Sequence, residues 1–219
     1  MDFLEIATRL GVFFVPFLFS LCFHEYAHGW VAKLRGDRTA EMMGRLTMNP
    51  LVHMDPIGTV LLPVMAIVLH SPISFGWAKP VPVNSRNLKN PKSDMFWVAL
   101  AGPVSNIFLA LVGCFLLVLA FKFLHGAAYF AGLQELVQSF IGVNLFLAYF
   151  NLIPLHPLDG GKVLARFLPP SLEYKLEQSQ GMTSILLMML FLSGAIKYLA
   201  IPVQWTYEIL LNAAVGVLT

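Results

Sequence analysis

The chain has 219 residues, 58% of them hydrophobic and 12% charged, with a formal net charge of +2. A mean hydropathy of +0.73 excludes an ordinary water-soluble globular protein and points to a single membrane-embedded domain over 1–219. So small a net charge gives no reason to expect a nucleic-acid partner, and Cys22 and Cys114, in apolar segments without paired spacing, imply no disulfide framework.

The first apolar run, at about 10–33, contains His24-Glu25-Tyr26-Ala27-His28. A run that carries such a motif does not read as a cleavable signal peptide. Two imidazoles and a carboxylate are expensive inside an apolar span, so a functional role is expected for them. At 3.6 residues per turn, positions 24 and 28 lie one above the other and can bind one metal ion. Glu25 projects about 100° round the helix from His24, which suits a general base acting on a water at that metal rather than a ligand. A hydrolytic zinc site takes three protein ligands and keeps one position open, so a further His, Asp or Glu must come from another segment.

Further apolar runs follow at about 57–72, 94–124, 131–153, 184–201 and 203–218. The run 57–72 is bracketed by Pro56 and Pro72 and interrupted by Pro63, which suits a re-entrant segment as well as a short crossing. The flanking segments 33–55 and 73–93 are both basic, which places them on the cytoplasmic side together and makes 57–72 dip in and return. The segment 154–183 then joins them, so that eleven of the fourteen Lys and Arg residues share one side. His24 would lie roughly 13 Å below the cytoplasmic end of its helix. The prolines and β-branched residues of Pro72–Val83 favour extended backbone, either a strand edge that clamps an unwound substrate or a simple surface hairpin. The expected fold is an all-α polytopic membrane protein, with four to six transmembrane helices and a re-entrant or extended, hairpin-like element between the first and next core helices.

The third ligand is sought where another span meets the cytoplasmic side. Asn151-Leu-Ile-Pro154-Leu-His-Pro157-Leu-Asp159-Gly160-Gly161 ends the run 131–153 there, with prolines that break a helix and glycines that permit close backbone approach. Asp159 is the acidic residue most readily delivered to the depth of His24 and His28. In a soluble protein it would read as a turn or helix-cap aspartate. Asp55 before Pro56 reads as a helix N-cap, and His70 and His125 as interfacial. His156 is a secondary candidate near the metal.

HEYAH together with NLIPLHPLDGG resembles the site-2 protease family of intramembrane zinc metalloproteases. The stretches Gly44–Pro50, His53–Gly58, Gly76–Pro80 and Ala101-Gly-Pro-Val-Ser-Asn106 are similar to its compact prokaryotic branch. The resemblance covers a core of about 10–165 and leaves the C-terminal helices, about 184–218, without a motif. It implies one Zn2+ per chain held by His24, His28 and Asp159, with Glu25 as catalytic base and Asn151 near the substrate or oxyanion. Asn144, on the same helix face as Asn151, and Asn106 complete the candidate substrate-binding or oxyanion set. For both, interhelical packing is the competing explanation.

The resemblance further implies hydrolysis of peptide bonds in or near transmembrane segments, with a single-pass membrane protein or a signal peptide as substrate. The location implied is the plasma or inner membrane, with the active site nearer the cytoplasm and no room in the chain for a PDZ or CBS-type domain. Self-association is left open. A zinc transporter or metal-binding scaffold is the alternative, although it has little need of Glu25 and would line its path with several sites. A di-iron oxygenase needs more histidines than the six present.

Overall fold

The computed structural model describes residues 3–68 and 76–216. Helix α1, Leu4–Leu34, is long and apolar enough to cross a membrane. It contains a π-type turn at Leu10–Phe14 just before Pro16. Proline has no N–H for the helical ladder and its ring crowds the carbonyl four residues back, and a wider turn accommodates both. The same solution recurs in α2, Pro56–Val68, whose first half is a π-type turn over Pro56–Leu61 ahead of Pro63. Asp55 caps α2 as expected, accepting the N–H groups of Ile57 at 3.0 Å and Gly58 at 2.7 Å.

Helix α2 spans only about 20 Å at 1.5 Å per residue, short of the ~30 Å hydrocarbon layer. Its flanks meet, because the Lys79 N–H donates to the His53 carbonyl at 2.8 Å and the Trp77 N–H to the Gly58 carbonyl at 3.1 Å. The Gly58 carbonyl is available because Leu62, in the π-type turn, bonds back to Ile57 instead. The chain therefore leaves one end of the bundle and returns to it, as the re-entrant expectation required. His70 and the Pro72–Phe75 part of the expected extended segment lie outside the described residues.

Residues 76–84 run as a strap that is neither helix nor strand. Its inward N–H groups alternate, those of Trp77, Lys79 and Val81 going to Gly58, His53 and Glu25. The expected extended backbone is present, but no strand pairing occurs among the described residues. Pro80 and Pro82 lie between the inward positions and have no N–H to offer a strand on the outer edge.

Helices α3, Pro91–Leu124, and α4, Phe130–Asn151, are the other two candidate spans. α3 packs along α1 and α4. Ala110, Cys114 and Leu117 of α3 meet Val137, Ile141 and Leu145 of α4 in the main apolar cluster. A short helix α5, Asp159–Ala165, folds back on α3, and α6, Pro170–Gln178, follows it. Helices α7, Gly181–Leu192, and α8, Ala195–Ala214, meet at 86° around Gly194, whose φ of 72° is open to glycine at little cost. Val203, Tyr207, Leu210 and Leu211 of α8 cover the apolar cluster. The result is an all-helical polytopic membrane protein with three candidate spans among the described residues, or four, the lower bound of the expected range, if the bent pair is one span.

Cross-links place the basic segments together. The Lys89 N–H donates to the Arg35 carbonyl and Asn84 N–H to Asp37, while Lys92 bonds the Leu168 carbonyl and Glu173. Both cysteines are free and buried, as expected.

Candidate metal centre

Helix α1 places His24 and His28 one turn apart on a buried face, with Nε2 atoms 3.0 Å from each other. The turn after α4 brings Asp159 beneath them, its Oδ2 3.2 Å from each Nε2. The two glycines that follow explain how the chain turns so tightly. A Cβ on Gly160 would stand 2.3 Å from the Leu152 and Ile153 carbonyl oxygens, and one on Gly161 2.8 Å from the His156 nitrogen. Across the site, Gly102 of α3 forms a wall directly against the imidazoles. A Cβ there would lie 2.5 Å from both His24 Cε1 and His28 Nε2.

The far nitrogens decide what the near ones can do. His28 Nδ1 lies 2.7 Å from the Val98 carbonyl and His24 Nδ1 2.6 Å from Asn106 Oδ1. Both acceptors require an N–H, so each Nδ1 is the protonated nitrogen and each Nε2 presents a lone pair. Two imidazole lone pairs and a carboxylate oxygen thus converge within 3.0–3.2 Å, and Asp159 Oδ2 has no hydrogen-bond partner although it is buried. Without a cation such an arrangement is repulsive and leaves a buried acceptor unsatisfied. The face of a tetrahedral zinc site with ligands about 2.0–2.1 Å from the ion has edges of roughly 3.4 Å, close to this triangle. The donor set fits zinc, and it is the one such group of three among the described residues.

Glu25 is half-buried beside this triangle, and its Oε2 accepts the Val81 N–H at 2.7 Å. The strap that supplies this N–H is itself pinned. The buried Arg45 donates from Nη2 to the Lys79 carbonyl at 2.7 Å and the Pro80 carbonyl at 3.3 Å. Gly29, one turn along α1, leaves room for the Val81 side chain, which a Cβ there would approach to 3.1 Å.

The structure brings His24, His28 and Asp159 together, with Glu25 adjacent in sequence. Asn106 and Asn144 lie between the helices, behind His24. Both are fully buried, and their amides bond to each other at 2.8 Å, to Ser20 and, through Asn106, to His24. Interhelical hydrogen bonding, the competing explanation, describes their positions. Asn151 ends α4 half-buried and donates to the Leu147 carbonyl at 2.9 Å. His156 is buried near the turn but is no part of the converging triangle. Sequence reasoning did not anticipate the Val81 N–H, the Gly102 wall or the Val98 carbonyl. Gly102 had a signal in the Gly-Pro step within an apolar helix, whereas a backbone group of a distant segment has none.

The family model for peptidase family M50 matches residues 12–194. The chain is 40% identical over 190 residues to a Bacillus subtilis protein named "Putative zinc metalloprotease YwhC", covering 86% of this chain and 83% of that one. It is 30% identical over 213 residues to "Putative zinc metalloprotease Rip2" of Mycolicibacterium smegmatis, covering 95% and 76%. "Zinc metalloprotease MJ0392" of Methanocaldococcus jannaschii is 25% identical over 185 residues, 83% of this chain and 42% of that protein. No solved structure matches. With that match over most of its length and its buried donor triangle of His24, His28 and Asp159, the chain belongs to peptidase family M50, the site-2 protease family, and is a zinc metalloprotease of the membrane.

Proposed function

We propose that the protein is an intramembrane endopeptidase that hydrolyses peptide bonds in or near transmembrane segments of membrane proteins, a single-pass protein or a signal peptide being the substrate class. The observation that carries this reading is the convergence of three lone-pair donors, two on the candidate membrane-spanning helix α1 and the third an orphaned buried carboxylate delivered by the turn after α4. His24, His28 and Asp159 are the zinc ligands in this reading. Zinc held there would supply Lewis-acid chemistry, activating water near neutral pH and polarising the scissile carbonyl.

The chain's own residues do the rest. Glu25 accepts a proton from the attacking water and returns it to the leaving amine, while the Val81 N–H holds its Oε2 in place through both transfers. Asn151, at the mouth of the turn that delivers Asp159, is the remaining polar group offered to substrate or oxyanion. A substrate helix must unwind locally before its carbonyl reaches the site. The three basic segments, linked at one end of the bundle, support a cytoplasmic placement for that end in a plasma or inner membrane. The core at about 10–165 and the C-terminal helices act as one domain in this reading.

The test is cleavage of a model single-pass substrate by purified protein in liposomes, with zinc content measured alongside. Wild type should cleave, and Glu25→Gln should keep its zinc and lose cleavage. A Glu25→Gln protein that still cleaves would overturn the assignment of the base. Zinc binding without cleavage across a panel of transmembrane substrates would transfer the proposal to a zinc transporter or scaffold.

A further inference from the structure

The hydrogen-bond chain behind His24 has a direction that its far end dictates. Asn144 Nδ2 is 2.9 Å from the Phe140 carbonyl, which can only accept, so the amide nitrogen must face that way. Its oxygen therefore faces Asn106, whose Nδ2 donates to it at 2.8 Å. Asn106 is then obliged to turn Oδ1 to His24 Nδ1 at 2.6 Å, and that nitrogen must carry the proton. Asn106 Nδ2 also lies 3.4 Å from the Ser20 carbonyl, a second pure acceptor that enforces the same orientation. Asn144 Nδ2 further donates to Ser20 Oγ at 2.8 Å. Every side chain in this chain of contacts has 0–4% exposure, so water cannot substitute for any member.

We infer that Asn106, held by Asn144 and Ser20, is a positioning residue that fixes the Nδ1–H tautomer and ring angle of His24 and thereby presents Nε2 to zinc. Helix α3 thus has a part in metal binding although it supplies no ligand. His28 needs no such device, because the Val98 main-chain carbonyl does the same for it directly. Groups behind a ligating imidazole typically change metal affinity 10–100-fold when removed. The inference rests on the proposed role of His24 as ligand, and the experiment separates the two.

The experiment titrates Zn2+ into the purified, chelator-stripped full chain in detergent against a competing chromophoric chelator. Nitrogen-15 spectra of its histidines are recorded in the zinc-free state. Asn106→Leu should weaken zinc binding about 10–100-fold and release His24 from its single tautomer. Asn106→Asp, which keeps an acceptor facing Nδ1 but turns its second oxygen toward Asn144 Oδ1 and the Ser20 carbonyl, should hold His24 in its Nδ1–H tautomer with an affinity between those of wild type and Asn106→Leu, and Asn144→Leu should fall between the same limits. Asn106→Leu with wild-type affinity and an unchanged His24 tautomer would overturn the inference, as would Asn106→Asp releasing His24 from its tautomer as fully as Asn106→Leu does. His24→Ala is the separate control. If it binds zinc like wild type, the ligand assignment itself fails; if it loses zinc while Asn106→Leu does not, only the positioning role fails.

Discussion

The interface between α3 and α4 is built in two ways along its length. One half is apolar and close, with Gly113 against Ile141 and the cluster of Ala110, Cys114, Leu117, Val137 and Leu145 around it. The other half is polar, with Asn106 bonded to Asn144, and one turn away on α3 Gly102 faces the imidazoles of α1 instead of aliphatic carbon. Lipid tails are as apolar as leucine, so the apolar half holds the helices through dense packing rather than through a drive to leave solvent. The polar half adds direction, because each amide has one orientation that satisfies its neighbours. The first half determines that the helices associate, and the second how His24 is presented.

Two glycines on α3 give the strongest test of that division. Gly102→Ala drives a methyl group into both imidazoles, so loss of stoichiometric zinc is expected, measured by metal analysis of purified protein. Gly113→Ala meets Ile141 Cγ1 at 2.6 Å and should leave zinc affinity unchanged while lowering stability by about 1–3 kcal/mol. If both variants lose zinc equally, the two halves are not separable. Ile141→Ala, at a fully buried position, deepens the same contrast with about 2–5 kcal/mol of destabilisation, readable by thermal unfolding, and with zinc still bound.

A smaller effect is expected at the strap. Val81→Pro deletes the N–H that Glu25 accepts, whereas Val81→Ala keeps it. A hydrogen bond to a charged group contributes roughly 1.5 kcal/mol or more, so kcat should fall about tenfold in the proline variant alone, with zinc retained. Equal kcat in the two variants would remove the strap from the catalytic machinery.

The smallest effect concerns the anchor of that strap. Burial pushes the Asp37 carboxyl up, but hydrogen bonds from Thr39, Asn87 and the Asn84 N–H outweigh this and hold it below its ordinary value. A carboxylate whose folded pKa is depressed stabilises the protein above its unfolded pKa of about 3.9, and that contribution is lost as pH falls through the lower folded value. Thermal stability of wild type should therefore drop below about pH 4 more steeply than that of Asp37→Asn. Parallel pH curves for the two proteins would show that the anchor contributes nothing measurable.

The His24–His28 pair of the candidate metal centre was legible because helical geometry converts a spacing of four into a shared face without help from the rest of the chain. Asp159 was legible for a weaker reason, the combination of helix-breaking prolines and a Gly-Gly step at the matching membrane depth. The asparagines were visible as polar residues in apolar helices, yet their role was not, since a substrate contact and a buried relay have the same local signature. Arg45 lies in the Gly44–Pro50 stretch that carries part of the resemblance, yet its role became visible only through the carbonyls of Lys79 and Pro80.

By itself the sequence determined the all-helical membrane architecture, the H-E-x-x-H face of α1 and the turn carrying Asp159, because hydropathy, helical period and proline–glycine punctuation act over a few residues. Only the tertiary structure decided that the α2 excursion returns to its starting end, that Val81 reaches Glu25, that Gly102 walls the site and that Asn106 turns its oxygen to His24. Those four depend on pairs separated by 19 to 82 positions, such as Gly58 with Trp77, Glu25 with Val81 and His24 with Asn106. Contacts at that range are selected by how whole helices pack and by the requirement that every buried polar group find a partner.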